Sequence, residues 1–184
     1  MMLYTVVPAL ALGALVPASA PAASDMFFQA EGLLGESLSD RYRDAIEPQS
    51  FSWGVSTNPK PNFSDIHFTK TVDNTSPTLL SYLTTGKLIP KARLTFVKAG
   101  IRQEAFLRYC FTGLRVTSLS TSASNGSGAL PSESVSFSYA TFVEAYHRQN
   151  ADGSLAPAVF GGWDLINKLQ FGDDNTCPNA PLGG

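Results

Sequence analysis

The 184-residue sequence predicts a mainly β protein, a barrel-like β-sandwich with one short α-helix packed on it. Three observations support this prediction. Apolar and polar residues alternate with a period of two along most of the chain, as they do in strands that bury one face. Clusters of Gly, Pro, Asn and Ser interrupt these runs at short intervals. Only one segment has the apolar spacing of a helix, which favours a sandwich or barrel over a layered α/β fold.

The first strands are short and separated by loops. Residues 26–31 form an extended run that ends at a glycine, and residues 33–44 are polar and predict a loop. In residues 50–55, two aromatic residues and a valine alternate with serine and glycine, which predicts a strand with an aromatic face. Residues 58–62 contain two prolines, which cannot donate ladder hydrogen bonds, so we expect a loop there. Extended structure resumes at residues 63–69.

The single helix is predicted to begin after Ser76 and to end before Gly86. Ser76 can cap its N-terminus, and Pro77 suits the first helical position. Gly86 ends the helix, because glycine adopts the left-handed conformation without penalty, and Lys87 suits the negative end of the helix dipole. The apolar stripe of this helix consists of Leu79, Leu80 and Leu83.

Longer strands dominate the second half of the chain. Residues 92–97 alternate, and residues 104–119 form a long run in which Gly113 marks a bulge or bend. Residues 134–143 have the cleanest alternation in the chain and predict one strand. Residues 163–171 predict a last strand.

Turns and loops separate these longer strands. Residues 99–100 and 150–154 predict turns, and the Gly/Ser-rich stretch 121–128 predicts a flexible loop. Residues 172–184 are rich in Pro, Gly and Asn and predict a flexible tail. We therefore divide the chain into residues 1–24, a folded domain of residues 25–171, and the tail.

The charge of the chain is low in total and in balance. Thirteen basic and fifteen acidic residues give a formal net charge of −2, which argues against nucleic acid as a partner because phosphate binding needs clustered positive charge. Only 15% of the residues are charged, against roughly a quarter in average proteins. Serine-rich strand faces account for part of the deficit. Such faces suit water, a neighbouring subunit or a polar lumen.

Residues 1–24 contain no charged side chain and predict a signal peptide. An apolar run is followed by small residues, and cleavage after Ala18 or Ser24 fits that pattern. The run is too short to span a bilayer, which takes ~20 residues, so we expect a secreted, extracellular protein without a stable membrane anchor. No basic residue precedes the run. A disordered apolar extension, or a true start at Met26, therefore remains open.

A search for chemistry predicts no catalytic, cofactor-binding or metal site. His67 and His147 lack a recognisable partner in sequence, and residues 126–128 lack the strand–turn–helix context of a nucleophile elbow. Residues 152–154 are a turn rather than a calcium loop, because further oxygen ligands at regular spacing are absent. Residues 173–174 are interpreted as solvated carboxylates. We predict that the protein is not an enzyme and needs no cofactor.

The two cysteines leave two alternatives. In an exported protein Cys110 and Cys177 can form one disulfide that ties the tail to the folded domain. Otherwise, one is a buried thiol and the other is free.

Taken together, blocks spread over residues 25–168 resemble the haemolysin-coregulated protein (Hcp) family, the tube protein of type VI secretion. Each block is weak by itself, but their order and spacing are specific. The stretch from residue 68 to residue 87, a strand that runs into a helix, is the most recognisable. The matching residues are Trp53, Gly54, Phe68, Lys70, Asp73, Ser76, Pro77, Gly86, Pro131, Glu133, Gly162, Trp163 and Asp164.

The resemblance implies a fold related to phage tail-tube proteins and a structural role without catalysis. Family members form hexameric rings that stack into a hollow tube, which a contracting sheath drives outward. The implied partners are other copies of the chain, a spike protein, the sheath and small effector proteins carried in the lumen. The leader departs from the family pattern. A secreted monomeric Hcp-like binding module outside a contractile machine is therefore the alternative.

Overall fold

A computed structural model describes residues 24–98, 104–126, 128–150, 152–179 and 182. The predicted turn at residues 99–100 and nearly all of the predicted signal peptide lie outside these residues. The elements in chain order are β1 Ser24–Ala30, β2 Ser50–Ser52, β3 Val55–Thr57, β4 Pro61–Phe63, β5 Ile66–Thr71, α1 Ser76–Thr85, β6 Ile89–Lys98, β7 Ala105–Ser122, β8 Ser132–Ser138, β9 Thr141–Gln149, β10 Leu155–Asp164 and β11 Leu169–Gln170. The mainly β fold with one helix is confirmed.

Strand β7 belongs to two sheets and joins them. Its N-terminal half pairs with β6 and β9, and β1, β10 and β11 extend this larger sheet, which we call sheet A. Its C-terminal half pairs with β8, which is followed by β5 and β2 in a second sheet, sheet B. All of these pairs are antiparallel. Strands β3 and β4 form a separate hairpin.

The bend in β7 lies at Gly113, as predicted. Its φ of 63° is left-handed, and a Cβ there would lie 2.9 Å from the Cβ of Ala140. The segment between β8 and β9 lies opposite this bend, and its Ala140 N–H donates to Thr112 O at 2.9 Å. The prediction of one strand over residues 134–143 is therefore wrong. The run is split into β8 and β9 because it follows β7 from one sheet into the other.

The core lies between the two sheets and under α1. Phe28, Phe68 and Phe137 form an aromatic centre with ring centroids 5.0–5.6 Å apart. Leu79 and Tyr82 of α1 are buried against this core, Leu83 packs at its edge, and Leu80 is 53% exposed. The helix buries one narrow stripe, and Leu80 was wrongly included in it.

The helix ends where predicted but starts differently. Gly86 adopts φ 65° at the C-cap, and a proline occupies the first turn. The N-cap is Thr75 rather than Ser76, and no side chain caps this end. Ser76 is instead the first helical residue and directs its hydroxyl to buried groups described below.

Two other strand predictions and one loop prediction need correction. The predicted strand over residues 50–55 breaks between β2 and β3, and the prolines of residues 58–62 do not prevent β4, because β4 pairs only with β3 at the sheet margin. The predicted strand over residues 163–171 is interrupted by a turn. There, Asp164 Oδ1 accepts hydrogen bonds from the backbone N–H groups of Ile166 and Asn167, at 2.9 and 2.8 Å, and the chain reverses into β11.

Two segments cover the outer face of sheet A, the face turned away from sheet B. Residues 33–46 place Tyr42 and Ala45 over Phe27 and Val97. The second segment consists of residues 171–179 and 182, which we call the strap. Its Cys177 is fully buried beside Val143 and Ala145 and forms a disulfide with Cys110, with the Cα atoms 5.5 Å apart. Among the described residues, no helix is long and apolar enough to cross a bilayer.

Candidate functional site

A buried lysine brings four of the motif residues together. Lys70 on β5 is 1% exposed, and its Nζ lies 2.7 Å from Asp73 Oδ1 and 3.1 Å from Glu133 Oε2. The same ammonium donates to Ser76 Oγ at 3.1 Å and to Thr71 O at 3.0 Å. The ammonium is therefore surrounded by acceptors from β5, β8 and the start of α1. We call this set the Lys70 network.

The Lys70 network fixes the start of the helix on sheet B. Ser76 Oγ donates to Glu133 Oε2 at 2.6 Å and accepts from the Asp73 N–H at 3.2 Å. Asp73 Oδ1 also accepts from the Thr75 N–H at 2.8 Å. Burying three charges is costly unless each is paired and hydrogen-bonded, and here each one is. The chemistry that this arrangement supports is structural.

The other motif residues around α1 are structural as well. Phe68 is fully buried, and Pro131 O accepts the backbone N–H of Val72 at 2.9 Å, which joins the start of β8 to the end of β5. Gly86 O accepts a hydrogen bond from the Arg115 guanidinium, so the end of the helix is tied to β7.

The remaining motif residues meet in an aromatic cluster at the far end of the sandwich. Trp53 Nε1 donates to the Tyr139 hydroxyl at 2.5 Å, and the Trp53 ring lies 4.6 Å from that of Phe142. Phe63 packs between Phe142 and Trp163. Burial raises the pKa of Tyr139. The cluster holds the β3–β4 hairpin against sheet A.

Two glycines and one aspartate shape the backbone around this cluster. Gly54 N–H donates to Ser64 Oγ at 3.0 Å. A Cβ on Gly162 would lie 2.5 Å from Phe171 O and 2.7 Å from Phe142 O, so only glycine fits between these strands. Asp164 accepts the turn hydrogen bonds that precede β11.

Neither histidine is placed for catalysis. The two ring nitrogens of His67 lie 3.1 Å from Ser136 Oγ and 3.2 Å from Ser134 Oγ. His147 Nδ1 donates to Ala156 O at 2.8 Å, so its Nε2 accepts from Arg108 at 3.0 Å. A nucleophile needs a base that a third group orients, and the described residues give neither histidine a carboxylate partner. Nor do the described residues contain a group of three His, Cys, Asp or Glu side chains that could hold a metal ion.

The outer face of sheet B consists almost entirely of hydroxyl groups, apart from His67 and, at one end, the exposed Arg115 opposite Ser138. The residues on this hydroxyl face alternate with inward-facing ones along each strand, and they lie opposite one another across the strands. Several are hydrogen-bonded to each other across strands, for example Ser50 to Thr69 at 2.7 Å and Ser122 to Ser132 at 3.0 Å. The hydroxyl face comprises Ser50, Ser52, His67, Thr69, Thr71, Ser118, Ser120, Ser122, Ser132, Ser134 and Ser136.

Sheet A has an open edge at β10. Strand β10 pairs with β9 along its length, but β11 covers only its last two residues. Within the described residues, no backbone ladder covers the outer side of residues 158–161. Val159 there is 71% exposed and lies opposite Tyr146, which is 46% exposed. Open strand edges with apolar side chains are sites at which another chain can pair.

The fold and the placement of these residues agree with comparisons to known proteins. The family model "Type VI secretion system effector, Hcp" matches residues 27–146. The chain belongs to the Hcp family.

Individual Hcp proteins match over nearly their whole length. Protein hcp1 of Pseudomonas aeruginosa is 32% identical over 162 residues, which cover 80% of this chain and 99% of that protein. The crystal structure of Hcp1 from Salmonella typhimurium is 30% identical with a TM-score of 0.70 and covers 81% of this chain and 100% of that one. A type VI secretion system effector from Yersinia pestis is 28% identical with a TM-score of 0.67, covering 76% and 99%.

Family membership settles the broad function. The chain is a type VI secretion protein of the Hcp family, a family of structural secreted proteins rather than of enzymes. The predicted resemblance is thereby confirmed. Sequence reasoning located the Lys70 network through the motif, but it missed the buried Arg93 and Arg108 described below, because a basic residue in an alternating strand is ordinarily exposed.

Proposed function

We propose that this chain is a tube subunit that assembles into hexameric rings, which stack into a hollow tube. The observation that carries the proposal is membership of the Hcp family together with an open edge of sheet A. The ring is built from copies of the chain. Small effector proteins are further partners, and a spike protein and a sheath are partners of a chain that stays in the cytoplasm until it assembles.

The open edge of β10 supports pairing between copies. Its backbone groups in residues 158–161 are available, and Val159 and Tyr146 form an exposed apolar pair beside them. Among the described strands, sheet B also has unpaired margins, at β2 and along the C-terminal half of β7. If the β10 edge of one copy pairs with a margin of sheet B in the next copy, two different surfaces are in contact. Such a heterologous contact repeats by rotation, and a ring closes when the rotation returns to the first copy.

The hydroxyl face of sheet B supports a lumen that carries cargo. A surface of Ser and Thr hydroxyls is wetted, and along the hydroxyl face it carries no carboxylate, lysine or arginine. Such a surface holds water and releases cargo easily, because it offers neither strong ion pairs nor a large apolar area. We propose that this face lines the tube and that effectors contact it there.

We further propose that residues 1–24 act as a signal peptide. Ser24 is the first residue of β1 and lies opposite Lys98 in the ladder with β6. Cleavage after Ala18 leaves β1 complete, whereas cleavage after Ser24 removes its first ladder residue. We therefore favour cleavage after Ala18.

A second candidate function rests on the leader and the disulfide. Disulfides persist in oxidising compartments, so Cys110 and Cys177 favour a chain that reaches one. A chain exported by a signal peptide would leave the cytoplasm before a cytoplasmic sheath could use it. It would then act as a secreted monomeric module that binds a partner.

Light scattering after size-exclusion chromatography distinguishes the two functions. The tube subunit elutes as a ring, and Val159→Lys converts it to monomer because the charge lies beside the open edge. Leu80→Lys, on the exposed side of α1, is the matched control and leaves the ring intact. A wild-type chain that is monomeric at high concentration would favour the binding module.

A further inference from the structure

A row of polar side chains is buried on the outer face of sheet A, beneath the strap and residues 33–46. Arg93 and Thr95 of β6 are 3% and 1% exposed, and Arg108 of β7 is 1% exposed. In the ladders, Gln29 lies opposite Arg93, and Thr95 lies opposite Arg108. Four polar side chains on three neighbouring strands therefore share one covered patch.

Three atoms of this patch have no hydrogen-bond partner among the described residues. They are Arg108 Nε, Thr95 Oγ1 and Gln29 Oε1. Buried polar atoms are ordinarily hydrogen-bonded, and an orphaned one indicates a water or an ion at that place. Two of the three can donate a hydrogen, and Thr95 and Arg108 face each other across neighbouring strands, with Cα atoms about 5 Å apart.

The charge of Arg108 has only neutral acceptors around it. Its Nη1 donates to His147 Nε2 and to Asn179 Oδ1, each at 3.0 Å, and its Nη2 donates to Cys177 O at 3.4 Å. Among the described residues, no carboxylate oxygen lies within 4.0 Å of its guanidinium. A buried charge without a counter-charge is costly, and a water molecule would not neutralise it.

A second buried arginine lies in the patch. Burial and the nearby positive charge of Arg108 together lower the pKa of Arg93 to about 10, against an opposing effect of Tyr42. Burial also lowers the pKa of Arg108, as does the charge of Arg41, whereas Tyr42 and the strap's Asp174 oppose the shift. Asp174 is exposed, so solvent screens its charge and it compensates the buried guanidinium only weakly.

We propose that a small inorganic anion of halide size binds in this patch, held by Arg108 Nε and Thr95 Oγ1 and neutralising Arg108. Gln29 Oε1 can only accept, so it takes a hydrogen from a water beside the anion. A monatomic anion fits better than an oxyanion, because the side chains around it are almost fully buried. The anion joins sheet to strap, because Arg108 also holds Cys177 and Asn179.

Bromide is the probe for this site. Crystals of the disulfide-bonded chain grown in sodium bromide are measured above and below the bromine absorption edge. The expected result is an anomalous peak in contact with Arg108 Nε and Thr95 Oγ1. A patch that holds only water without anomalous signal, or bromide only elsewhere on the molecule, would overturn the proposal.

Thermal unfolding tests the same site in solution. Bromide is compared with gluconate, which is too large to enter, at equal ionic strength. Wild type is expected to melt a few degrees higher in bromide, and Thr95→Val, which removes the hydroxyl with little change in shape, is expected to lose this increment. In gluconate the variant is at least as stable as wild type, because it no longer buries an orphaned hydroxyl.

Arg148→Gln is the matched control, because Arg148 is exposed on β9. It is expected to keep the full bromide increment. The site would be refuted if bromide did not raise the melting temperature of wild type, or if it raised that of wild type and Thr95→Val equally.

Discussion

The residue on which the helix depends is Lys70. Its ammonium is shared by Asp73 and Glu133, and Ser76 Oγ donates to the Glu133 carboxylate while it accepts from the Asp73 N–H. A single substitution removes the positive charge and leaves two buried carboxylates unpaired. These contacts explain why the motif contains these residue types, because each side chain of the Lys70 network provides a charge or hydrogen-bond partner for another.

Lys70→Met is expected to lower the free energy of unfolding by about 3–5 kcal/mol, because it leaves buried charges without a partner. Urea denaturation measures it. Arg43→Gln is the control, because Arg43 forms an exposed ion pair with Asp40 at 3.6 Å, and such pairs contribute about 0–1 kcal/mol. Equal losses in the two variants would contradict the role of the network.

Tyr109 gives the protein a specific response to alkaline pH. Burial raises its pKa to about 12, aided by the charge of Glu144 and by a hydrogen bond to that carboxylate. The folded state therefore keeps a proton that the unfolded state releases above pH 10, near the ordinary tyrosine pKa. The contribution to stability is complete below pH 10 and is lost as the pH rises through 12.

Denaturation at several pH values between 10 and 12 tests this response. Tyr109→Phe is expected to lose less stability between pH 10 and 12 than wild type. Glu144→Gln is expected to bring the folded-state pKa of Tyr109 closer to its unfolded value, and so to narrow the pH range of the loss. A wild-type chain and a Tyr109→Phe chain with parallel profiles would show that the tyrosine titrates normally.

At the scale of elements, the bend of β7 organises the molecule. One strand belongs to both sheets because Gly113 turns it, and the opposing chain turns at Ala140. Gly113 and Gly86 have nearly the same φ, 63° and 65°. Their surroundings differ, because a Cβ at Gly86 would meet only the flexible end of Arg115, 3.9 Å away.

Gly86→Ala is expected to cost about 1–2 kcal/mol through backbone strain alone. Gly113→Ala is expected to cost about 1–3 kcal/mol more, because its methyl group overpacks against Ala140. Denaturant titration of both variants measures the difference. Adding Ala140→Gly to Gly113→Ala should recover the stability lost through overpacking but not the stability lost through backbone strain. A double variant that is no more stable than Gly113→Ala would contradict the proposed packing.

The elements also show what could be predicted from the sequence. The helix end at Gly86 and the bend at Gly113 were predicted, because a glycine at a positive φ leaves a local signal. The split of residues 134–143 into β8 and β9 was not, because it depends on a partner strand that is distant in sequence. Ser76 was predicted as a cap, but Glu133 and Lys70 recruit its hydroxyl, and such tertiary competition is invisible locally.

The two sites also differ in how far they could be predicted from the sequence. The residues of the Lys70 network were identified through the family motif, and their mutual contacts follow from the ladder between β5 and β8. The patch around Arg108 was not predicted. Its burial depends on the strap, which is distant in sequence from the strands that it covers.

At the scale of the whole molecule, the strap closes a 67-residue loop from Cys110 to Cys177. Constraining a loop of this length in the unfolded chain contributes about 3–4 kcal/mol in the chain-entropy model. Cys177→Ser is expected to lower the free energy of unfolding by this amount, measured without reductant. Adding reductant should lower wild type to the level of the variant. A wild-type chain that is unaffected by reductant would indicate that the strap is held by other contacts.

The whole molecule also joins an Hcp fold to a predicted export signal. Mature N-terminal sequencing distinguishes the possibilities. A start near Ser19 or Asp25 indicates cleavage of a signal peptide, and Ser19 would leave β1 complete. An intact N-terminus, or a start at Met26, would instead favour the ordinary role in a secretion machine.

We propose that copies of this chain assemble through the open edge of sheet A, and native mass spectrometry of the secreted chain over a range of concentrations tests this assembly. We expect a six-copy ring in wild type, monomer in Val159→Lys, and a six-copy ring in Leu80→Lys. Wild type that stays monomeric at every concentration would contradict this proposal.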